Sequence, residues 1–113
     1  MDEGSITYDD FARVDMRVGT ITEARVFEKA RKPAYQLWID FGPLGTRKSS
    51  AQITKRYSIE ELTGMQVVAV VNMPPRQIAN FMSECLVLGA VDERGDVILM
   101  RPATPAQNGQ RIA

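Results

Sequence analysis

Between Lys29 and Arg56 the chain carries seven basic residues, Lys29, Arg31, Lys32, Arg47, Lys48, Lys55 and Arg56, against the single acid Asp40. A block of net charge +6 can contact phosphates through charge-assisted hydrogen bonds and the release of counterions. Neutral hydrogen-bonding side chains stand beside it. With them the candidate nucleic-acid-binding set is Arg31, Lys32, Arg47, Lys48, Ser49, Ser50, Gln52, Lys55, Arg56, Asn72 and Ser83. Single-strand binders add aromatic rings on which bases stack, and only Tyr35, Trp38 and Tyr57 lie near enough in sequence to serve. Tyr35 alternates with apolar neighbours and reads as packing. The plain alternative for the whole block is a solvated face.

A second candidate set is apolar. Met73, Pro74, Arg76, Ile78, Phe81 and Met82 fall within one short segment that reads as a loop. Methionine and phenylalanine side chains adapt to varied partners, so this set is expected to bind extended peptide, with Arg76 adding a positive charge. The same residues could instead pack a dimer interface or cover one end of the fold.

Other chemistries are excluded or disfavoured by composition. The chain has no histidine, which removes the usual general base near neutral pH and the commonest metal ligand. Its single cysteine, Cys85, can form neither an internal disulfide nor a thiolate zinc site. With Leu86, Val87 and Leu88 following it, Cys85 reads as an inert core residue. Glu60 and Glu61 are adjacent on a helical stretch and so do not face a common centre. We therefore expect no enzyme, no cofactor and no metal.

At 113 residues the chain is the size of one domain, and 44% apolar with 25% charged residues is a globular composition. No apolar run reaches the roughly 18 to 20 residues that cross a bilayer, and the acidic start Met1-Asp2-Glu3-Gly4 is unlike a secretory signal. Cytoplasmic residence is the expectation, with no membrane insertion. The net charge is zero, but residues 1–28 carry −4 and residues 57–113 carry −2 around the basic block. This segregation favours an anionic partner.

The elements that would position these residues are mostly strands. Thr7 and Asp10 form a capping-box pattern that predicts a short helix over 8–14, and Ser58 with Glu61 predicts another that Gly64 ends. From Met16 the chain alternates, with Met16, Val18, Thr20, Thr22, Ala24 and Val26 on one face and Ile21 and Phe27 as exceptions. Gly19 is expected to mark a bend in this long strand. Tyr35, Leu37, Ile39 and Phe41 alternate in a second strand, Thr46 to Ile53 forms a polar third, and Met65 to Met73 reads as a buried fourth. Cys85 to Val91 and Val97 to Met100 flank the turn at Asp92 to Gly95.

Five or six strands in the order β-β-β-α-β-β predict an all-β fold, a five-stranded oligonucleotide-binding (OB) barrel with short helices at the N-terminus and between strands 3 and 4. Residues 1–113 are expected to form a single domain whose tail, 101–113, packs on the barrel or on a partner. Apolar surface left by a domain this small predicts a homodimer.

Several segments carry a family resemblance. Phe11-Ala12-Arg13-Val14-Asp15-Met16-Arg17-Val18-Gly19 resembles the start of tRNA-binding domains. Ala30 to Tyr35, Lys48 to Thr54, Val71 to Ile78, Phe81 to Glu84 and the Pro105 to Ile112 tail are similar to the CsaA-type export-related chaperones of that family. Where many members have Ser-x-Gly-Met, this chain has Ser83-Glu84-Cys85-Leu86, a departure that fits the CsaA branch. The resemblance implies an OB barrel paired into a homodimer through its terminal segments. It further implies a chaperone for unfolded or export-bound precursor polypeptides, in contact with the secretion motor. Binding of tRNA on a basic face is the alternative that the wider family implies.

Overall fold

The computed structural model describes residues 3–113. Met1 and Asp2, read above as part of an acidic start, lie outside the described residues. Helix α1 (Tyr8–Ala12) leads into the long strand β1 (Met16–Val26), followed by β2 (Tyr35–Asp40), a 3-10 turn (Gly42–Leu44) and β3 (Thr46–Ala51). Helix α2 (Ile59–Leu62) precedes β4 (Gln66–Val70), and five short strands follow: β5 (Arg76–Ile78), β6 (Phe81–Ser83), β7 (Leu86–Val87), β8 (Gly89–Val91) and β9 (Val97–Leu99). Both helices begin with the expected capping box, Thr7 with Asp10 and Ser58 with Glu61, each satisfying amides that the helix leaves unpaired.

The main sheet has the order β3-β2-β1-β4-β7, antiparallel throughout. Strand β1 serves two partners: its first half, Met16 to Thr20, pairs with β4, and its second half, Thr20 to Val26, pairs with β2. The register shifts between Ile21 and Glu23. This bulge explains why the simple alternation fails. Ile21 is fully buried ahead of it, Ala24 is buried beyond it, and Val26, on the same alternating face as the buried Val18 and Ala24, is 56% exposed. The register irregularity falls just beyond Gly19, between Ile21 and Glu23. The glycine has another role: a Cβ there would stand 2.6 Å from Ile39 and 2.7 Å from the Phe41 ring. It lets β2 and the residues after it pack directly against the β1 backbone.

The sheet curls until β3 meets the chain between β6 and β7, giving a nearly closed five-stranded barrel of the expected OB type. Inside it, Ile21, Leu37, Ile39, Phe41, Leu62 and Val67 are completely buried. Each contributes about 1.5–3 kcal/mol of gross apolar transfer energy. A second cluster, Phe27, Ala34 and Phe81 with Ala30, Trp38 and Ile78 against it, forms separately. Trp38 alternates with the core residues Leu37 and Ile39, so this cluster lies on the outer side of β2, beneath the β5–β6 hairpin.

The segment read as a loop around Met73 to Met82 is thus partly a hairpin, with Ile78 paired to Phe81 across a two-residue turn. The tail is held along β1. Val18 donates to the Gln110 carbonyl and accepts from the Gly109 amide, Ile112 donates to Met16, and Gln66 exchanges two hydrogen bonds with Ala106.

Candidate functional site

Two adjoining hollows, of about 580 and 230 Å³, share Ser50, Gln52, Arg76 and Ile78, and together they form one surface trough. The β1–β2 connection supplies one wall at the larger end, with Lys29, Arg31 and Lys32; β5 supplies the facing wall, with Arg76, Ile78 and Ala79. The smaller end is lined by Met73, Pro74, Cys85 and Leu86, with Ser83 and Glu84 between. The hairpin is anchored by Phe81, whose ring meets Phe27 and Trp38 edge-on at 5.4 and 5.8 Å. Below the trough, the Ser50 amide donates to Ser83 Oγ, the Lys48 amide donates to Glu84 Oε1, and the Glu84 amide donates to the Lys48 carbonyl.

The structure redistributes the residues expected to bind. Arg31, Lys32, Ser50, Gln52 and Ser83 from the polar set line the trough, as do Met73, Pro74, Arg76 and Ile78 from the apolar set. One trough thus joins two sets that the sequence kept apart. Other members are engaged elsewhere. Arg47 donates to the Val71 carbonyl at 2.6 Å, Arg56 is paired with Asp92 at 2.5 Å, and the Lys48 ammonium lies 5.0 Å over the Phe81 ring. Lys55 is exposed but does not line the trough. Ser49 is buried at 1% exposure and donates to the Ser50 carbonyl.

Asn72 donates to the Arg13 carbonyl and accepts from the Asp15 amide, tying the end of β4 to the start of β1. Phe81 is only 6% exposed, so it supports the hairpin from below. Met82 is 39% exposed but does not line either hollow. The aromatic candidates are likewise committed. Tyr35 is buried and donates to the Tyr57 carbonyl, Tyr57 Oη accepts from the Leu99 amide, and Trp38 sits between Arg25 and Phe81.

Lys29, Ala79, Glu84 and Leu86 line the trough without having been singled out by sequence. Lys29 was legible in the basic block, whereas Glu84 and Leu86 carried only a family signal. Cys85 is buried, and burial pushes its thiol up to about 12, so no thiolate forms near neutral pH. Among the described residues, no cluster of three acid or thiol side chains could hold a metal ion. None of the described helices is long and apolar enough to cross a membrane. The trough presents cations at one end, apolar side chains at the other, and hydroxyl and amide groups between.

A family model described as "Putative tRNA binding domain" matches residues 16–111. The chain belongs to the tRNA-binding-domain family. Within that family, this tRNA-binding domain is similar to two solved chaperone structures. Chaperone CsaA from Bacillus anthracis str. Ames is 53% identical with a TM-score of 0.93, covering 97% of this chain and 100% of that one. CsaA chaperone protein from Picrophilus torridus is 51% identical with a TM-score of 0.90, covering 96% and 100%. The resemblance to CsaA read from the motifs is borne out. A methionine–tRNA ligase from Porphyromonas gingivalis is 37% identical over 107 residues, which is 95% of this chain and 15% of the ligase. This tRNA-binding domain therefore spans a small part of such curated relatives.

Proposed function

We propose that this chain is a molecular chaperone of CsaA type that, as a homodimer, holds unfolded or export-bound precursor polypeptides in the trough. The observation that carries the reading is the junction of apolar and hydrogen-bonding groups at Ser50, Gln52, Ile78, Met73 and Leu86. An unfolded segment exposes apolar side chains and unpaired backbone groups together, and the trough has partners for both. Binding without catalysis, residence in the cytoplasm and contact with the secretion motor accompany this reading. Leu86, Val91, Ile98 and Met100 support the dimer: Val87, Val97 and Leu99 pack inward, leaving these four between 41 and 69% exposed.

Mixing the purified protein with a chemically unfolded client tests the proposal. Aggregation of the client should be suppressed near one trough per chain, and sedimentation should show a dimer at micromolar concentration. A monomer that leaves client aggregation unchanged would sink the reading.

Binding of tRNA is the second reading, supported by the family and by Lys29, Arg31, Lys32 and Arg76 around one hollow. Affinity carried by these cations should fall steeply with added salt. Reversing the charge of Arg31 and Lys32 should remove it. Of the other basic residues in the expected set, Arg47 donates to the Val71 carbonyl and Arg56 pairs with Asp92, so this reading puts the trough cations first.

A further inference from the structure

We propose that the trough selects polypeptide segments in which an apolar stretch is flanked on one side by acidic residues. The inference rests on the polypeptide reading above and adds the class of client. Lys29, Arg31, Lys32 and Arg76 reach one hollow from two separate elements. Arg17, Arg25, Arg56 and Arg111 all have carboxylate partners, but among the described residues none of the trough cations has one. Four exposed like charges facing one hollow repel one another, and a partner's carboxylates would relieve that repulsion.

The other end is of opposite character. Met73, Pro74, Cys85 and Leu86 line it, and its two charges, the shared Arg76 and the acid Glu84, are of opposite sign. A client's acidic residue placed there would meet Glu84 and apolar surface, with Arg76 as its only cation, whereas the larger hollow offers four cations and no acid. Its apolar residues belong at this end and its acids at the β1–β2 connection, which gives the bound segment a direction. Basic flanks are rejected by repulsion, the discriminating half of specificity. The absence of aromatic side chains from both linings favours acidic peptide over RNA, whose bases would find no ring to stack on.

Fluorescence anisotropy on the intact protein tests the proposal, using labelled disordered peptides that share one apolar core and carry acidic, neutral or basic flanks. The acidic-flanked peptide should bind about ten-fold tighter than the neutral one, and the basic one should bind most weakly. The margin should shrink as salt rises. Arg31→Glu with Lys32→Glu, both exposed, should reverse the order while circular dichroism stays unchanged. Equal binding of acidic and neutral peptides, or tighter binding of the basic one, overturns the inference and leaves the polypeptide site standing. Failure of all three peptides overturns both. A labelled RNA oligonucleotide that binds through the same arginine and lysine, and is not displaced by the acidic peptide, assigns the cations to nucleic acid and overturns the inference too.

Discussion

The Ser50 amide donates to Ser83 Oγ at 3.1 Å, so a side chain stands in for a ladder bond where β3 meets the strands that close the barrel. Beside it, Lys48 and Glu84 exchange two more bonds at 2.9 and 2.7 Å. Removing the hydroxyl in Ser83→Ala leaves the part-buried Ser50 amide without its acceptor and should cost about 1 kcal/mol. A lower urea midpoint at unchanged slope, with faster hydrogen exchange at the Ser50 amide, is the expected result. Unaltered exchange would mean the seam is held without this bond.

Phe81 carries the β5–β6 hairpin on its ring. Phe81→Ala should destabilise the protein by about 3–5 kcal/mol, the usual cost of emptying a buried aromatic site. Trp38, the only tryptophan, packs 5.8 Å from that ring and reports the change through its fluorescence. A folded variant with native emission and native stability would contradict the role of Phe81 as the anchor.

Cys85 should resist modification in the native state. Burial holds its thiol near 12, so at pH 8 little thiolate exists and little of the side chain is reachable. Reaction with a thiol reagent should proceed at the rate of unfolding and become fast in denaturant. Rapid stoichiometric labelling of the folded protein would show that this part of the trough opens.

Acid should loosen the terminal clasp. Arg17 donates to Asp15 at 2.6 Å and to the Gly109 carbonyl, while Arg111 lies 3.8 Å from Asp15 and donates to the Ala12 carbonyl. The hydrogen bond from Arg17 holds the Asp15 carboxyl below its ordinary 3.8, against a smaller opposing effect of burial. A depressed folded value means the contribution is complete above 3.8 and is lost as pH falls through the folded value. The pair is partly exposed, so the loss should stay within about 1 kcal/mol. Stability of Asp15→Asn should lack this acidic step; an identical pH profile would place the step elsewhere.

Local features were legible in the sequence and long-range ones were not. The capping boxes at Thr7 and Ser58 involve residues three apart, and β2 announces itself through Tyr35, Leu37, Ile39 and Phe41. The bulge in β1 has no such signature, so alternation groups Val26 with Val18 and Ala24 although it is exposed and they are buried. The β5–β6 hairpin turns at Ala79-Asn80 without glycine, and Ala79 adopts a φ of +51°, a conformation its type rarely accepts. The trough itself unites residues near 30, 50 and 76, a juxtaposition that only the folded barrel creates. Asn72 looked available because its two partners lie 57 and 59 residues away.

The pairing of the tail with β1 has a temporal consequence. Arg17 and Gly109 are 92 residues apart, so β1 emerges from the ribosome long before the segment that covers its edge exists. Throughout that interval Val18 presents a bare amide and carbonyl to any passing strand. A protein proposed to shield unfinished chains must itself pass through an unshielded stage, and the rate at which its tail arrives sets how long that stage lasts.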